Sequence, residues 1–210
     1  MRLVHPTQVR PERWANGGGW TRTLLAWPDP RRWSVRVSVA DVETAGPFSA
    51  YPGVDRWFAV LEGGGVRLTT AGRAPASVRA DDDEMHAFSG DDATNCELLA
   101  GATRDLNVMV RRTDARATVR ALRGVAAAAA LRANAAQDPR TTGFSLRTDA
   151  ALLGCFVCDD AQVDTAGTGP VTLPRHTLAW LANPGREMLE WRLAAPAPRG
   201  WWIEANATID

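Results

Sequence analysis

No lysine occurs anywhere in this chain; all 24 of its basic side chains are arginine. That absence excludes Schiff-base chemistry, a lysine general base and the lysine of a phosphate-binding P-loop. Net charge is absent too, because 24 acidic side chains balance the arginines. A protein of nucleic acids or anionic membrane surfaces normally gathers a basic excess on one face, and no helix-turn-helix pattern is present either. Neither nucleic acid nor membrane is therefore expected as a partner. No uninterrupted apolar run reaches bilayer length, and Met1-Arg2-Leu3-Val4-His5-Pro6 opens without the apolar centre of a secretion signal. The expected location is the cytoplasm.

Reactive side chains are few. The three cysteines, Cys96, Cys155 and Cys158, are an odd number and describe no disulfide framework. Cys155 and Cys158 have CxxC spacing, but they lie in Leu152-Leu153-Gly154-Cys155-Phe156-Val157-Cys158, which reads as a strand. A strand sends positions three apart to opposite faces, so these two read as core side chains and not as a redox or zinc pair. The three histidines, His5, His86 and His176, form no HxH, HxxH or HExxH group. Metal ligands must converge on one point, so no metal and no cofactor is expected. There is no GxSxG elbow and no GxGxxG fingerprint.

What is present is a strand-rich chain with a glycine run near its start. In Trp14-Ala15-Asn16-Gly17-Gly18-Gly19-Trp20-Thr21-Arg22, three glycines stand between polar residues and two tryptophans. Such a run serves either as a turn between strands, its commoner use, or as backbone left bare for a ligand's approach. Trp33-Ser34-Val35-Arg36-Val37-Ser38-Val39-Ala40-Asp41 alternates as a strand, with the valines on one face and Arg36, Ser38 and Ala40 on the other. Trp57-Phe58-Ala59-Val60-Leu61 reads as another strand, and Glu62-Gly63-Gly64-Gly65 reads as the turn of a hairpin returning through Val66-Arg67-Leu68-Thr69. After Arg112 the composition shifts to alanine and arginine, which predicts a helical or irregular connector over residues 113–140. Short strands then resume to Gly200-Trp201-Trp202-Ile203-Glu204. Two runs of short strands either side of one connector predict two antiparallel sheets or barrels.

Two polar clusters sit in this frame. Gly46-Pro47-Phe48-Ser49-Ala50-Tyr51-Pro52-Gly53-Val54-Asp55-Arg56 reads as a rigid turn that delivers Asp55 and Arg56 to a strand. The planar fork of an arginine suits carboxylate recognition, and a neighbouring carboxylate can orient it. In Asp105-Leu106-Asn107-Val108-Met109-Val110-Arg111-Arg112, alternation puts Asp105, Asn107 and Met109 on one face. Asp and Asn are depleted in strands, so their presence calls either for partners in a polar pocket or for exposure at a sheet edge.

These motifs, together with Leu61-Glu62-Gly63-Gly64-Gly65 and Phe88-Ser89-Gly90-Asp91, resemble the HutD/Ves family in order and spacing up to about Arg112. Ala15 departs from the family's basic or polar residue, and the alanine-rich segment has no counterpart there. The resemblance implies an all-β, double-barrel cupin (bicupin) fold. Residues 1–112 would form the first barrel, 113–140 the connector and 141–210 the second barrel, with exchange of strands between the lobes left open. It implies a link to histidine utilisation and a metal-free barrel that senses a small anionic metabolite, formylglutamate- or urocanate-like. The residues expected about its ligand are Asn16, Gly17, Gly18, Gly19, Thr21, Arg36, Ser38, Asp55, Arg56, Asp105 and Asn107. Two other classes remain beside this one. The first is an acid–base enzyme, an isomerase or hydrolase using Asp55, Asp105 or His86. The second is a protein-interaction module anchored on exposed Trp201 and Trp202. A homodimer is compatible with all three.

Overall fold

The computed structural model describes residues 1–126, 143–165, 169–194 and 197–207, and its regular structure is almost entirely strand. In chain order the strands begin with β1 (Arg2–Val4), β2 (Glu12–Arg13), β3 (Gly19–Trp27), β4 (Val35–Val42), β5 (Gly46–Pro47) and β6 (Val54–Gly63). Next come β7 (Val66–Thr70), β8 (Ala76–Val78), β9 (His86–Ser89), β10 (Thr94–Leu98), β11 (Thr103–Arg111) and β12 (Ala115–Ala121). The remainder are β13 (Gly143–Thr148), β14 (Leu152–Val157), β15 (Ala161–Thr165), β16 (Pro170–Leu173), β17 (Leu178–Ala182), β18 (Leu189–Ala194) and β19 (Gly200–Ala207). Among the described residues no helix is long and apolar enough to cross a membrane.

The chain divides into two compact units, one built on Pro6–Arg116 and the other on Met1–His5 with Ala117–Asn206. The first has a six-stranded sheet in the order β2-β3-β4-β11-β6-β9 and a four-stranded sheet in the order β5-β10-β7-β8. Val42, Phe58 and Val60 from the larger sheet meet Val66, Leu68, Val78 and Cys96 from the smaller in a shared core. The second unit has a five-stranded sheet, β1-β17-β14-β19-β12, and a four-stranded sheet, β13-β18-β15-β16. Its core joins Leu153, Cys155, Val157 and Trp202 to Val163, Leu173, Trp191 and Leu193, with Trp191 edge-on to Trp202 at 5.2 Å.

Alternation is obeyed on β4 and β11. Val35, Val37 and Val39, with Leu106, Val108 and Val110, share one face of the sheet and are buried. The opposite face, which carries Arg36, Ser38, Asp105 and Asn107, turns into the interior of the unit. Both faces of these central strands are thus withdrawn from water.

Three expectations are corrected. The Gly63–Gly65 run does not close a hairpin: β6 pairs with β11 and β9, whereas β7 pairs with β10 and β8. It is a corner that carries the chain from one sheet to the other. Gly63 and Gly65 take φ of 98° and 89°, and a side chain at Gly64 would collide with Ala100. The predicted connector, 113–140, begins instead with a turn and strand β12, followed by helical residues 122–126; residues 127–140 lie outside the described residues. Arg120 reaches across from β12 to Glu204 on β19, so the polar half of this segment's composition serves a sheet edge. Finally, Trp201 and Trp202 are both 0% exposed, which removes the anchor of a protein-interaction module. Cys155 on β14 and Cys158, which falls just beyond the strand and not in it as expected, are both buried core side chains, and burial pushes their thiols up to about 12.

The N-terminal glycine run has a packing role of its own. Gly17 turns the chain at φ 72°, and Gly19 lies so close to the neighbouring strand that a methyl group there would collide with the Asp41 carbonyl oxygen. Gly19→Ala is expected to lower the unfolding free energy by about 1–3 kcal/mol, the usual cost of overpacking. Urea unfolding measures it, with Gly46→Ala, whose added methyl would meet nothing, as the matched control. Equal stability of the two variants would refute the close-approach role.

Candidate functional site

Strand register alone assembles the polar face. Arg36 of β4 pairs with Met109 of β11, which pairs with Arg56 of β6. One step along, Ser38 pairs with Asn107 and Asn107 with Phe58; one step further, Ala40 pairs with Asp105 and Asp105 with Val60. Because side chains alternate with a period of two, these rows stack on one face. They run from charged at Arg36 and Arg56 to apolar at Val42 and Val60. The apolar end is filled by the core, and the polar end bounds a cavity of about 330 Å³.

The cavity's remaining walls come from the chain leading into β3, from the start of β3 itself and from the turn between β5 and β6. Trp14, Asn16 and Thr21 line one side, and Phe48, Ser49 and Tyr51 another. Trp14 Nε1 donates to Thr21 Oγ1 at 2.7 Å and sets its ring edge-on to Phe48, with centroids 6.4 Å apart. With that oxygen occupied as an acceptor, the Thr21 hydroxyl retains its own proton to donate. Asn16 accepts from the Gly18 amide at 3.0 Å and so holds the glycine turn that it belongs to.

Arg56 is the most constrained cation of the site. It is 6% exposed; its Nη2 donates to Asn107 Oδ1 at 2.9 Å, and its Nη1 approaches the Ser49 carbonyl at 3.4 Å. Its guanidinium lies 4.8 Å from the ring centre of Phe88, 5.3 Å from that of Phe48 and 5.6 Å from that of Tyr51. Burial lowers its pKa, and the charge of Asp105 works in the opposite direction. Its Nε is buried with no hydrogen-bond partner, as is the Nε of Arg36.

Asp105 lies deepest, 1% exposed. Burial pushes its carboxyl up to about 8, against the hydrogen bond from Asn107 and the charge of Arg56. Asn107 Nδ2 donates to Asp105 Oδ1 at 2.6 Å, which leaves the proton to Oδ2. Asn107 is thereby fixed at both ends, its oxygen on Arg56 and its nitrogen on Asp105. The site can present two guanidinium forks, a neutral carboxylic acid and hydroxyl donors to one small molecule.

Of the residues expected about a ligand, Asn16, Thr21, Arg36, Ser38, Arg56, Asp105 and Asn107 come together around this cavity. Gly17, Gly18, Gly19 and Asp55 do not, and the expectation for them is corrected. The Gly17 amide is bonded to Trp14 and the Gly18 amide to Asn16, while Gly19 runs in the β3 ladder. Asp55 precedes Arg56 on a strand, so it must face the other way; there it pairs with Arg112 at 2.8 Å. Arg112 also binds Asp91, whose other oxygen accepts from the Gly53 amide, so this cluster ties the turn together. His86 is half-buried on β9 with its pKa lowered by burial and by Arg73, and it does not line the cavity.

Sequence reasoning missed Trp14, Phe48, Ser49 and Tyr51 as wall residues. The signal available was that Tyr51, the only tyrosine of the chain, stands beside Phe48 in a proline-bounded turn.

The donors of the cavity do not fit a metal ion. Among the described residues its lining holds no histidine or cysteine, its one buried carboxyl favours its proton, and three arginines border the space. Among the described residues no three His, Cys, Asp or Glu side chains are grouped to hold a cation.

Comparison with known proteins agrees with this architecture. An uncharacterised 21.2 kDa protein in the hutC 3′ region of Pseudomonas putida is 38% identical over 100 residues, covering 46% of this chain and 50% of that protein. The matched part thus spans about half of that relative's length. The solved structure of HutD from Pseudomonas fluorescens SBW25, in a formate condition, superposes with a TM-score of 0.78 at 21% identity over 99% of both chains. A cupin 2 conserved barrel domain protein from Leptotrichia buccalis superposes with a TM-score of 0.56 at 8% identity, over 99% of this chain and 96% of that one. The fold is accordingly all-β and cupin-like, each unit built from two antiparallel sheets, and residues 6–197 match the HutD family model. This chain belongs to the HutD family.

Proposed function

We propose that the protein is a metal-free sensor of a small anionic metabolite in histidine utilisation, a carboxylate of the formylglutamate or urocanate kind, with a regulatory role. The observation that carries this reading is Arg56. A buried guanidinium, positioned by Asn107 and three aromatic rings and left with an unpartnered Nε–H, is a preorganised carboxylate site. Thr21 and Ser38 supply neutral hydrogen bonds beside it. Membership of the HutD family and the hutC-region relative support the metabolic setting.

Titration calorimetry with urocanate, formylglutamate and glutamate, each beside the amide in which its carboxylates are capped, tests the reading. Binding of at least one acid, with its amide weaker by about tenfold or more, is expected. Silence from all three acids would sink it.

Asp105 supports a second reading. A buried carboxyl that titrates near neutrality is the profile of a general acid or base. Turnover of a bound carboxylate, lost in Asp105→Asn while binding persists, would favour an enzyme.

A further inference from the structure

Two of the three arginines that line the cavity, Arg36 and Arg56, come from one sheet face, and the sheet sets their separation. Arg36 and Arg56 occupy a single lateral row with Met109 between them. Two interstrand steps, about 9–10 Å at the backbone, therefore lie between their roots. They are held differently. Arg56 is braced by Asn107, the Ser49 carbonyl and aromatic rings, whereas Arg36 makes no hydrogen bond through its buried Nε. Their charges oppose one another, since Arg36 is among the groups that lower the pKa of Arg56.

The protein supplies little to balance these two charges. Glu12 and Arg13 also line the cavity but are exposed to water, and Arg13 is paired with Glu43 at 2.7 Å. Among the described residues Asp105 is the single buried carboxyl of the lining, and Asn107 stands between it and Arg56. A desolvated cation without a counter-charge is costly, so the cavity favours an occupant that brings the missing negative charge. One carboxylate satisfies one fork in bidentate geometry and leaves the other arginine unanswered.

We propose that the cavity takes a dianion, a short dicarboxylate whose two acid groups engage Arg56 and Arg36 separately, with its carbon chain over Met109. This rests on the carboxylate reading above and specifies its class. Arg36 is then the residue that distinguishes a diacid from a monoacid, and Arg56 is the anchor common to both.

The test is calorimetric titration of malonate, succinate, glutarate and adipate, each beside its own monoamide, which has nearly the same shape and one charge fewer. The best diacid is expected to bind about tenfold or more tightly than its monoamide, and this ratio is expected to fall to about one in Arg36→Gln. Arg36→Met is the alternative should thermal unfolding show the glutamine variant misfolded. Equal binding of a diacid and its monoamide by the unchanged protein, or a preference that survives in the folded Arg36 variant, overturns the proposal. If none of the diacids or monoamides binds, this inference falls; the three-acid titration separately decides the broader carboxylate reading.

Discussion

Arg56→Met is expected to weaken carboxylate binding by about two orders of magnitude, near the lower end of what loss of one partner of a desolvated charge pair costs. The size follows from preorganisation. Arg56 spends no side-chain freedom on binding, because Asn107, Ser49 and the rings of Phe48, Tyr51 and Phe88 already fix it. Methionine keeps much of the packing volume but brings no charge and no donors. It also leaves Asn107 Oδ1 without its partner, at a cost of about 1–3 kcal/mol in stability. Arg56→Lys separates charge from geometry: it restores a cation without the planar fork and is expected to recover only part of the affinity. Calorimetry on both variants, with thermal unfolding alongside, decides the matter. Unchanged affinity in a folded Arg56→Met protein would remove Arg56 from the site.

Asp105→Asn is expected to flatten the pH dependence of stability between about pH 4 and pH 8. In the native protein burial holds this carboxyl protonated up to about 8, whereas in the unfolded chain it ionises near its ordinary value of 3.8. Between those values the native state binds a proton that the unfolded state has lost. The contribution of Asp105 is therefore fully present below the unfolded pKa, falls as pH rises and levels off above about 8. The slope is at most about 1.4 kcal/mol per pH unit. Asparagine cannot ionise, and its side-chain oxygen can still accept from Asn107. Urea unfolding at pH 5 and pH 8 should show the wild type losing more stability than the variant. Parallel losses in the two proteins would mean that Asp105 is already ionised in the folded state.

The candidate site was legible where strand periodicity governs it. Asp105 and Asn107 stand at alternate positions in an otherwise apolar strand, and Arg36 and Ser38 do the same on a second strand. Polar groups so placed need partners, and the structure supplies them across the β4–β11–β6 rows. The same rule, followed one step further, separates Asp55 from Arg56, because consecutive strand residues face opposite ways. The glycine runs were less legible. Composition marks both as places where side chains do not fit, yet it does not say what approaches. At Gly19 it is the Asp41 carbonyl, and at Gly64 it is Ala100, so in both cases the close neighbour is the chain itself.

What the sequence by itself determined is local and periodic: the all-β character, the strand faces, the cores of buried valine and leucine, and the motif order that marks the HutD family. Alternating side-chain hydrophobicity encodes these directly, since burial of one face needs only near neighbours in the chain. Tertiary structure alone decided which sheet receives each strand, that Gly63–Gly65 turns a corner between sheets, and that Ala115–Ala121 adds a strand to the second unit. It also brought Trp14 and Tyr51 to the cavity of Arg36 and Arg56. Those outcomes depend on pairing between residues far apart in sequence. A charge such as that of Asp105 takes its state from what buries it, which no stretch of neighbouring residues specifies.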